Sequence, residues 1–208
     1  MTPPGLGPSL DSVGLVEWTD VVTSVSLAIG LAACAGLRAW LPLLLVGGLA
    51  RAGVLTLGSS FGFLGSNRAL LLFGIATVIE IVGDKIPAID HGLDTLSTVL
   101  RPAAGSLIAA SVIWQVSDPL TALALGVAVG APSALVPHAA KSVLRVASTT
   151  LTGGLANPVI SLLEDVLALA VFVFSVILPL LAAISLLAVG FLVVRRMARR
   201  SAPALRTT

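Results

Sequence analysis

The chain has 208 residues, 57% of them hydrophobic and 11% charged, with a formal net charge of +2 and a mean hydropathy of +1.07. Soluble domains are about 45–50% apolar and about 25% charged, so the composition excludes an ordinary water-soluble domain and indicates an integral membrane protein. The basic residues are dispersed except in the terminal "RRMARR", which argues against a nucleic-acid partner, and the single cysteine, Cys34, excludes an internal disulfide or a cysteine-cluster metal site.

In chain order, residues 1–20 are rich in Pro and Gly and lack a basic stretch ahead of an apolar one. They do not read as a cleavable signal peptide. They read as a disordered or interfacial leader with a turn at Trp18. A transmembrane domain follows over 21–194, with halves at 21–117 and 118–194, and a basic cytoplasmic tail over 195–208. A helix needs about 20 mostly apolar residues to cross a hydrocarbon core of about 30 Å. Charge-free gaps give six spans: 21–50, 67–86, 102–116, 119–136, 157–178 and 180–194.

The first span is long and carries Arg38 within the break signal "GLRAWLP", so it reads as one span that kinks or unwinds or as a span followed by a half-helix. The third ends near Trp114, an interfacial aromatic, and "SDP" makes the next turn. The fourth contains a second Gly/Pro break, "GAPSALVP", followed by "HAAKSVLRVASTT" as an interfacial or half-membrane helix. Lys141 and Arg145 share one face of it by i,i+4 spacing. Pro179 leaves almost no loop, so the last two spans form a tight helical hairpin. Six spans put both termini on one side. A cytoplasmic C-terminus places Lys85, Arg101, Lys141, Arg145 and five C-terminal arginines inside, with only Arg51 and Arg68 outside. The expected location is the bacterial cytoplasmic membrane with both termini cytoplasmic.

The halves share a plan: a span broken by Gly and Pro, a stretch ending in arginine, an Asn opening a span that carries acid, and a third apolar span. Three spans per half would invert one half relative to the other. Inverted repeats with broken helices in matching positions point to a transporter-type site. Small residues that merely allow close helix packing account for the same Gly and Pro content.

An ionisable side chain within a span costs at least about 2.5–3.5 kcal/mol and faces a bundle interior or cavity. The candidates are Arg38, Glu80, Asp84, Glu164 and Asp165. Glu80 lies about 20 Å from the outer end of its span, and Glu164 roughly 10 Å in from the cytoplasmic edge of one that runs the other way. The two glutamates reach similar depths and are expected to converge, sharing a proton or binding a cation, with Arg38 as counter-ion and Asp84 at the inner mouth. Asp165 points about 100° away from Glu164. The competing reading is a structural polar clamp between helices.

Asp84, Lys85 and Asp90 also read as the headgroup-level end of a helix stopped by Pro87. Asp94 reads as the cap of "DTLSTVL", and His91 and His138 as interfacial residues. "STTLTGGLANP" reads either as an unwound substrate-binding stretch or as a loop with Asn157 as helix cap and Pro158 at the first helical position. No P-loop, G-x-S-x-G or H-E-x-x-H signature is present, so neither an enzyme nor a cofactor is expected.

Three stretches, "GLRAWLPLLLVGGLAR", "EIVGDKIPAIDHGLD…RPAAG" and "STTLTGGLANPVISLLEDVLAL", resemble the bacterial multi-pass membrane family catalogued as domain of unknown function four-one-two-six, over about residues 24–190. The resemblance implies a polytopic helical fold and no particular activity. "EIVGDK" is also similar to the Glu-x-Gly-Asp-Lys/Arg motif of the calcium/manganese–proton exchangers of Golgi and chloroplast membranes, whose acids bind the cation. Here one extra residue separates Glu80 from Gly83, and no hydroxyl follows Lys85. The sequence therefore reads as an all-α transmembrane bundle of about six spans. Its favoured function is a small transporter or channel whose carboxylates take a cation or proton. The alternative is a non-transporting scaffold, assembly or lipid-handling protein with structural acids. The expected partners are the lipid bilayer and a small ion or molecule, with a homo-oligomer left open.

Overall fold

The computed structural model describes residues 10–84 and 87–201, and the side chains among them except those of 10–17, 87–95, 193 and 197–201. In lipid the backbone must satisfy its own hydrogen bonds, and the chain does so with helices. They are α1 (Leu10–Leu37), α2 (Trp40–Arg51), a 3-10 helix (Ser59–Gly65), α3 (Asn67–Gly83), α4 (Pro87–Val112), α5 (Pro119–Thr152), α6 (Asn157–Ile177) and α7 (Pro179–Ser201). Four of the described segments are long and apolar enough to cross a membrane: Trp18–Leu37, Pro119–Thr152, Asn157–Ile177 and Pro179–Arg196. A fifth counts if the 3-10 helix and α3, bent by 59°, form one span. Trp40–Arg51 and Leu96–Val112 are shorter apolar helices. The all-α membrane architecture is thus as expected, and the six-span partition is not reproduced.

The differences have physical reasons. Residues 10–20 belong to α1 rather than to a leader, and Trp18 is an exposed helical residue, not a turn; residues 1–9 lie outside the described residues. The break at Arg38 is present, as α1 ends at Leu37 and α2 begins at Trp40. The second expected break, at 130–137, is absent. α5 runs for 34 residues through Pro132 and Pro137, so the expected half-membrane helix is simply its continuation. A proline removes one helix hydrogen bond and clashes with the preceding turn, but packing holds α5 together here. A Cβ on Gly130 would come 2.2 Å from the Gly105 carbonyl oxygen, and one on Gly126 2.4 Å from that of Ser106. The α4 and α5 backbones are in contact along a small-residue stripe, as membrane helices favour. The two halves therefore do not share a broken first helix.

Caps differ in detail as well. α5 starts at Asp118, whose carboxylate accepts from the Thr121 hydroxyl at 2.6 Å and the Thr121 N–H at 2.7 Å. These two bonds, the hydroxyl first, hold the Asp118 carboxyl below its usual range. α5 ends at Gly153, whose φ of +61° suits a left-handed helix cap. Asn157 is the first residue of α6 rather than its cap, and its amide donates to Thr149 Oγ1 at 3.3 Å. α4 starts at Pro87, so Asp94 falls inside a helix instead of opening one; the side chains of Asp90, His91 and Asp94, and Lys85 altogether, lie outside the described residues.

α1 is the central helix and packs on α4, α5, α6 and α7. One end of the bundle is marked by Ser24 Oγ bonding Gln115 Oε1 at 3.0 Å and by the Gly58 N–H bonding the Ser111 carbonyl at 2.8 Å. The opposite end holds the α1–α2 break. Leu167 and Gly190, one on each side of Leu178 and more than ten residues from it, line the same cavity, so the chain reverses at Pro179 as the expected hairpin requires. Tracing the helices leaves Trp18 toward the first end and the end of α7 toward the other. The expectation of both termini on one side counted 21–50 as a single crossing. The chain turns back at Arg38, and that count fails.

Gly130→Leu should drive side-chain atoms into the α4 backbone, whereas Gly74→Ala meets nothing within 4 Å. Thermal unfolding in detergent should show Gly130→Leu failing to accumulate as folded protein and Gly74→Ala unfolding like the parent chain.

Candidate functional site

The inward stripes of three helices carry small residues along most of their length and charged residues at one end. On α3 the buried positions are Ala69, Phe73, Thr77 and Glu80, then Asp84 just past the helix. On α5 they are Ala122, Gly126, Gly130, Ala134, His138, Lys141, Arg145 and Ser148. On α6 they are Ser161, Glu164, Ala168, Phe172 and Ser175. Steps of three and four keep each set on one helix face. The charged members meet Arg38, at the α1–α2 break, and Arg101 of α4, and both arginines are fully buried.

Asp84 is the centre of the cluster. It pairs with Arg38 through a short contact, and its Oδ2 lies 3.4 Å from Arg145 and 3.5 Å from Lys141. Lys141 Nζ is 2.8 Å from Glu164 Oε2, and Arg145 is 3.5 Å from the same oxygen. Arg38 reaches Asp165 Oδ1 at 2.6 Å and donates to Ser161 Oγ at 2.9 Å. Among the described residues, four cations (Arg38, Arg101, Lys141, Arg145) thus face four carboxylates (Glu80, Asp84, Glu164, Asp165). Burying a charge is tolerable only when it is paired and hydrogen-bonded. Among the described residues no group of three or more His, Cys, Asp or Glu side chains is placed to hold a metal ion.

Glu80 has a separate task. Its two oxygens accept from the N–H groups of Ala39 at 3.0 Å and Trp40 at 3.2 Å, the first free donors of α2. Arg101 works on the other side of the same break. It donates to the Gly36 carbonyl at 3.0 Å, lies 3.8 Å from Glu80, and sits 3.2 Å from His138 Nδ1. A guanidinium only donates, so that ring nitrogen is the acceptor.

One side of the cluster borders a cavity. Lys141 and Glu164 also line a cavity of about 500 Å³ between α1, α5, α6 and α7, whose walls are otherwise almost wholly apolar. Glu164 Oε1 is buried without a hydrogen-bond partner among the described residues.

All five residues singled out in the sequence, Arg38, Glu80, Asp84, Glu164 and Asp165, therefore fall in one cluster, but not in the expected pairing. Glu80 and Glu164 do not face each other; each is held by different cations. Arg38 binds the carboxylates of Asp84 and Asp165 and touches Glu80 through its main-chain carbonyl at 3.5 Å. Asp84, expected at the mouth, is buried at the centre. Sequence reasoning missed Arg101, His138, Lys141 and Arg145 as members and read His138 as interfacial. The signal was available for α5, because His138, Lys141 and Arg145 continue the small-residue stripe of Gly126, Gly130 and Ala134.

The family model described as Domain of unknown function (DUF4126) matches residues 25–199. No curated protein and no solved structure matches the chain. The likeness of "EIVGDK" to the calcium/manganese–proton exchangers gains no support from these comparisons, and Glu80 is already engaged with the α2 amides.

Asp84→Asn should leave three buried cations short of a partner and cost about 3–5 kcal/mol. Asp165→Asn alters a side chain that is 19% exposed and should cost less. Unfolding midpoints of the two variants in one detergent should rank in that order.

Proposed function

Starting from a chain that belongs to the DUF4126 family, we propose that it is a small transporter of the bacterial cytoplasmic membrane, without enzymatic activity, whose working site is the Lys141–Glu164 pair. One observation carries this reading: these two residues belong both to the buried ion cluster and to the wall of the large cavity. A bound solute therefore meets the charges that hold the bundle together. Lys141 already has Asp84 as a second partner at 3.5 Å. Protonation of Glu164, or its engagement by a solute, frees Lys141 to move toward Asp84. A charge-balanced cluster favours this partner exchange over capture of a metal ion, which would have to displace a lysine or an arginine. Arg38, Glu80, Asp84 and Asp165 act as the frame of the site.

A second reading has its own support. Glu80 and Arg101 are committed to the two helix ends at the break, as in a purely structural clamp. In that reading the protein is a non-transporting scaffold or lipid-handling protein.

Reconstituted vesicles under an imposed pH gradient separate the two. Proton flux should be present with the parent chain and abolished in Glu164→Gln. Glu80→Gln should lower the yield of folded protein while sparing flux per folded molecule. A parent chain with no flux, or a Glu164→Gln variant as active as the parent, sinks the transporter reading.

The cluster end of the bundle is proposed to face the cytoplasm. It holds the end of α7 with Arg195, Arg196, Arg199 and Arg200, while Arg51 and Arg68 lie toward the other end. In a Cys34→Ala background, Gly62→Cys and Trp18→Cys should react with an impermeant thiol reagent in intact cells. Leu151→Cys should react only after permeabilisation. The opposite pattern reverses the orientation.

A further inference from the structure

We propose that the cavity takes one hydrocarbon chain of a membrane phospholipid whose head carries a primary ammonium and a phosphate, with the ammonium on Glu164 and the phosphate on Lys141. The proposal rests on the transport reading of the same site and names its substrate class.

Three features of the cavity lead there. Its volume of about 500 Å³ is that of a pocket for a single drug-sized ligand, so one chain enters and the second remains in the bilayer. Leu144, Leu167, Leu187 and Phe191 line it and are each more than half exposed. The cavity is therefore open sideways on the apolar flank of the bundle, where lipid chains lie, and its occupant arrives from the bilayer. The polar end carries both signs. Lys141 offers an ammonium with three donors, and Glu164 offers an oxygen, Oε1, that accepts nothing among the described residues.

Buried acceptors in native structures have partners, and what Oε1 lacks is a hydrogen-bond donor. A primary ammonium supplies it as a charge-assisted bond. A quaternary ammonium has no N–H, and a glycerol head brings no positive charge. The site is thus built to separate head groups that share the same chains and the same phosphate. An ammonium beside Glu164 also competes with Lys141 for the carboxylate and frees the lysine for the phosphate.

The test uses the full chain in vesicles of equal parts phosphatidylethanolamine, phosphatidylcholine and phosphatidylglycerol with identical acyl chains. The protein is then released into mild detergent, and the lipids that remain bound are weighed by native mass spectrometry. Phosphatidylethanolamine should be retained over each of the others by about tenfold, the effect of one charge-assisted hydrogen bond. Glu164→Gln should bring it down to the level of phosphatidylcholine. Should that variant fail to fold, Ala140→Phe decides the matter. Ala140 is an exposed residue of the cavity wall outside the ion cluster, and the added ring should reduce retention of every lipid with an unchanged unfolding midpoint. Equal retention of the three lipids by the parent chain, or full retention by Ala140→Phe, overturns the proposal. Head-group selectivity without proton flux would sink the transport reading and leave this one standing. Flux that depends on Glu164 without head-group selectivity would do the reverse.

Discussion

A helix interrupted next to lipid leaves free carbonyls on one side and free N–H groups on the other, and neither can be left bare in a membrane. The α1–α2 break at Arg38 creates this problem, and the rest of the cluster follows from its solution. A helix C-terminus attracts cations and an N-terminus attracts anions. Arg101 accordingly binds the Gly36 carbonyl at the end of α1, and the Glu80 carboxylate binds the first two N–H groups of α2. The two side chains come from α4 and α3, so the break becomes the point where four helices are tied together. Without it, neither a buried arginine on α4 nor a buried glutamate on α3 would have a reason to be there.

Charge balance governs what the cluster can do. Arg38, at the break itself, needs carboxylates and finds them in Asp84 and Asp165, and Asp84 in turn engages Lys141 and Arg145 of α5. Each added charge calls for another of opposite sign. A site of this kind differs from the pair of unneutralised carboxylates that a cation exchanger requires. On the proposed reading it changes state by exchanging partners, and the place for that exchange is the edge that borders the cavity. Lys141 and Glu164 form that edge, since they are the charged members that line the cavity.

The sequence carried the class of fold and the burial of the two glutamates well, because both follow from apolar run length. Glu80 and Glu164 interrupt long apolar segments, so their burial was legible. Arg101, His138, Lys141 and Arg145 sit where apolar runs thin out, and there a hydropathy count cannot separate a headgroup residue from a buried one. What separates them is the helix face: Lys141 lies eleven residues beyond Gly130 on the same stripe, three full turns at 3.6 residues each. The prolines of α5 show the opposite limit. Pro132 and Pro137 carry the same local signal as Pro42, yet only the segment around Arg38 breaks. The difference is tertiary, because α5 is pressed backbone to backbone on α4 through Gly126 and Gly130, and no local pattern records that contact.

The same geometry changes how the chain's positive charges bear on its orientation. Arg38, Arg101, Lys141 and Arg145 are each matched by a carboxylate within the bundle, so their sum presents little net charge to the translocation machinery or to the lipid headgroups. In the proposed orientation the bias then rests on the residues left over, Arg51 and Arg68 toward one end and the arginines of α7 from Arg195 onward toward the other. The proposed orientation therefore depends on which end of the bundle those arginines occupy and not on how many helices separate them.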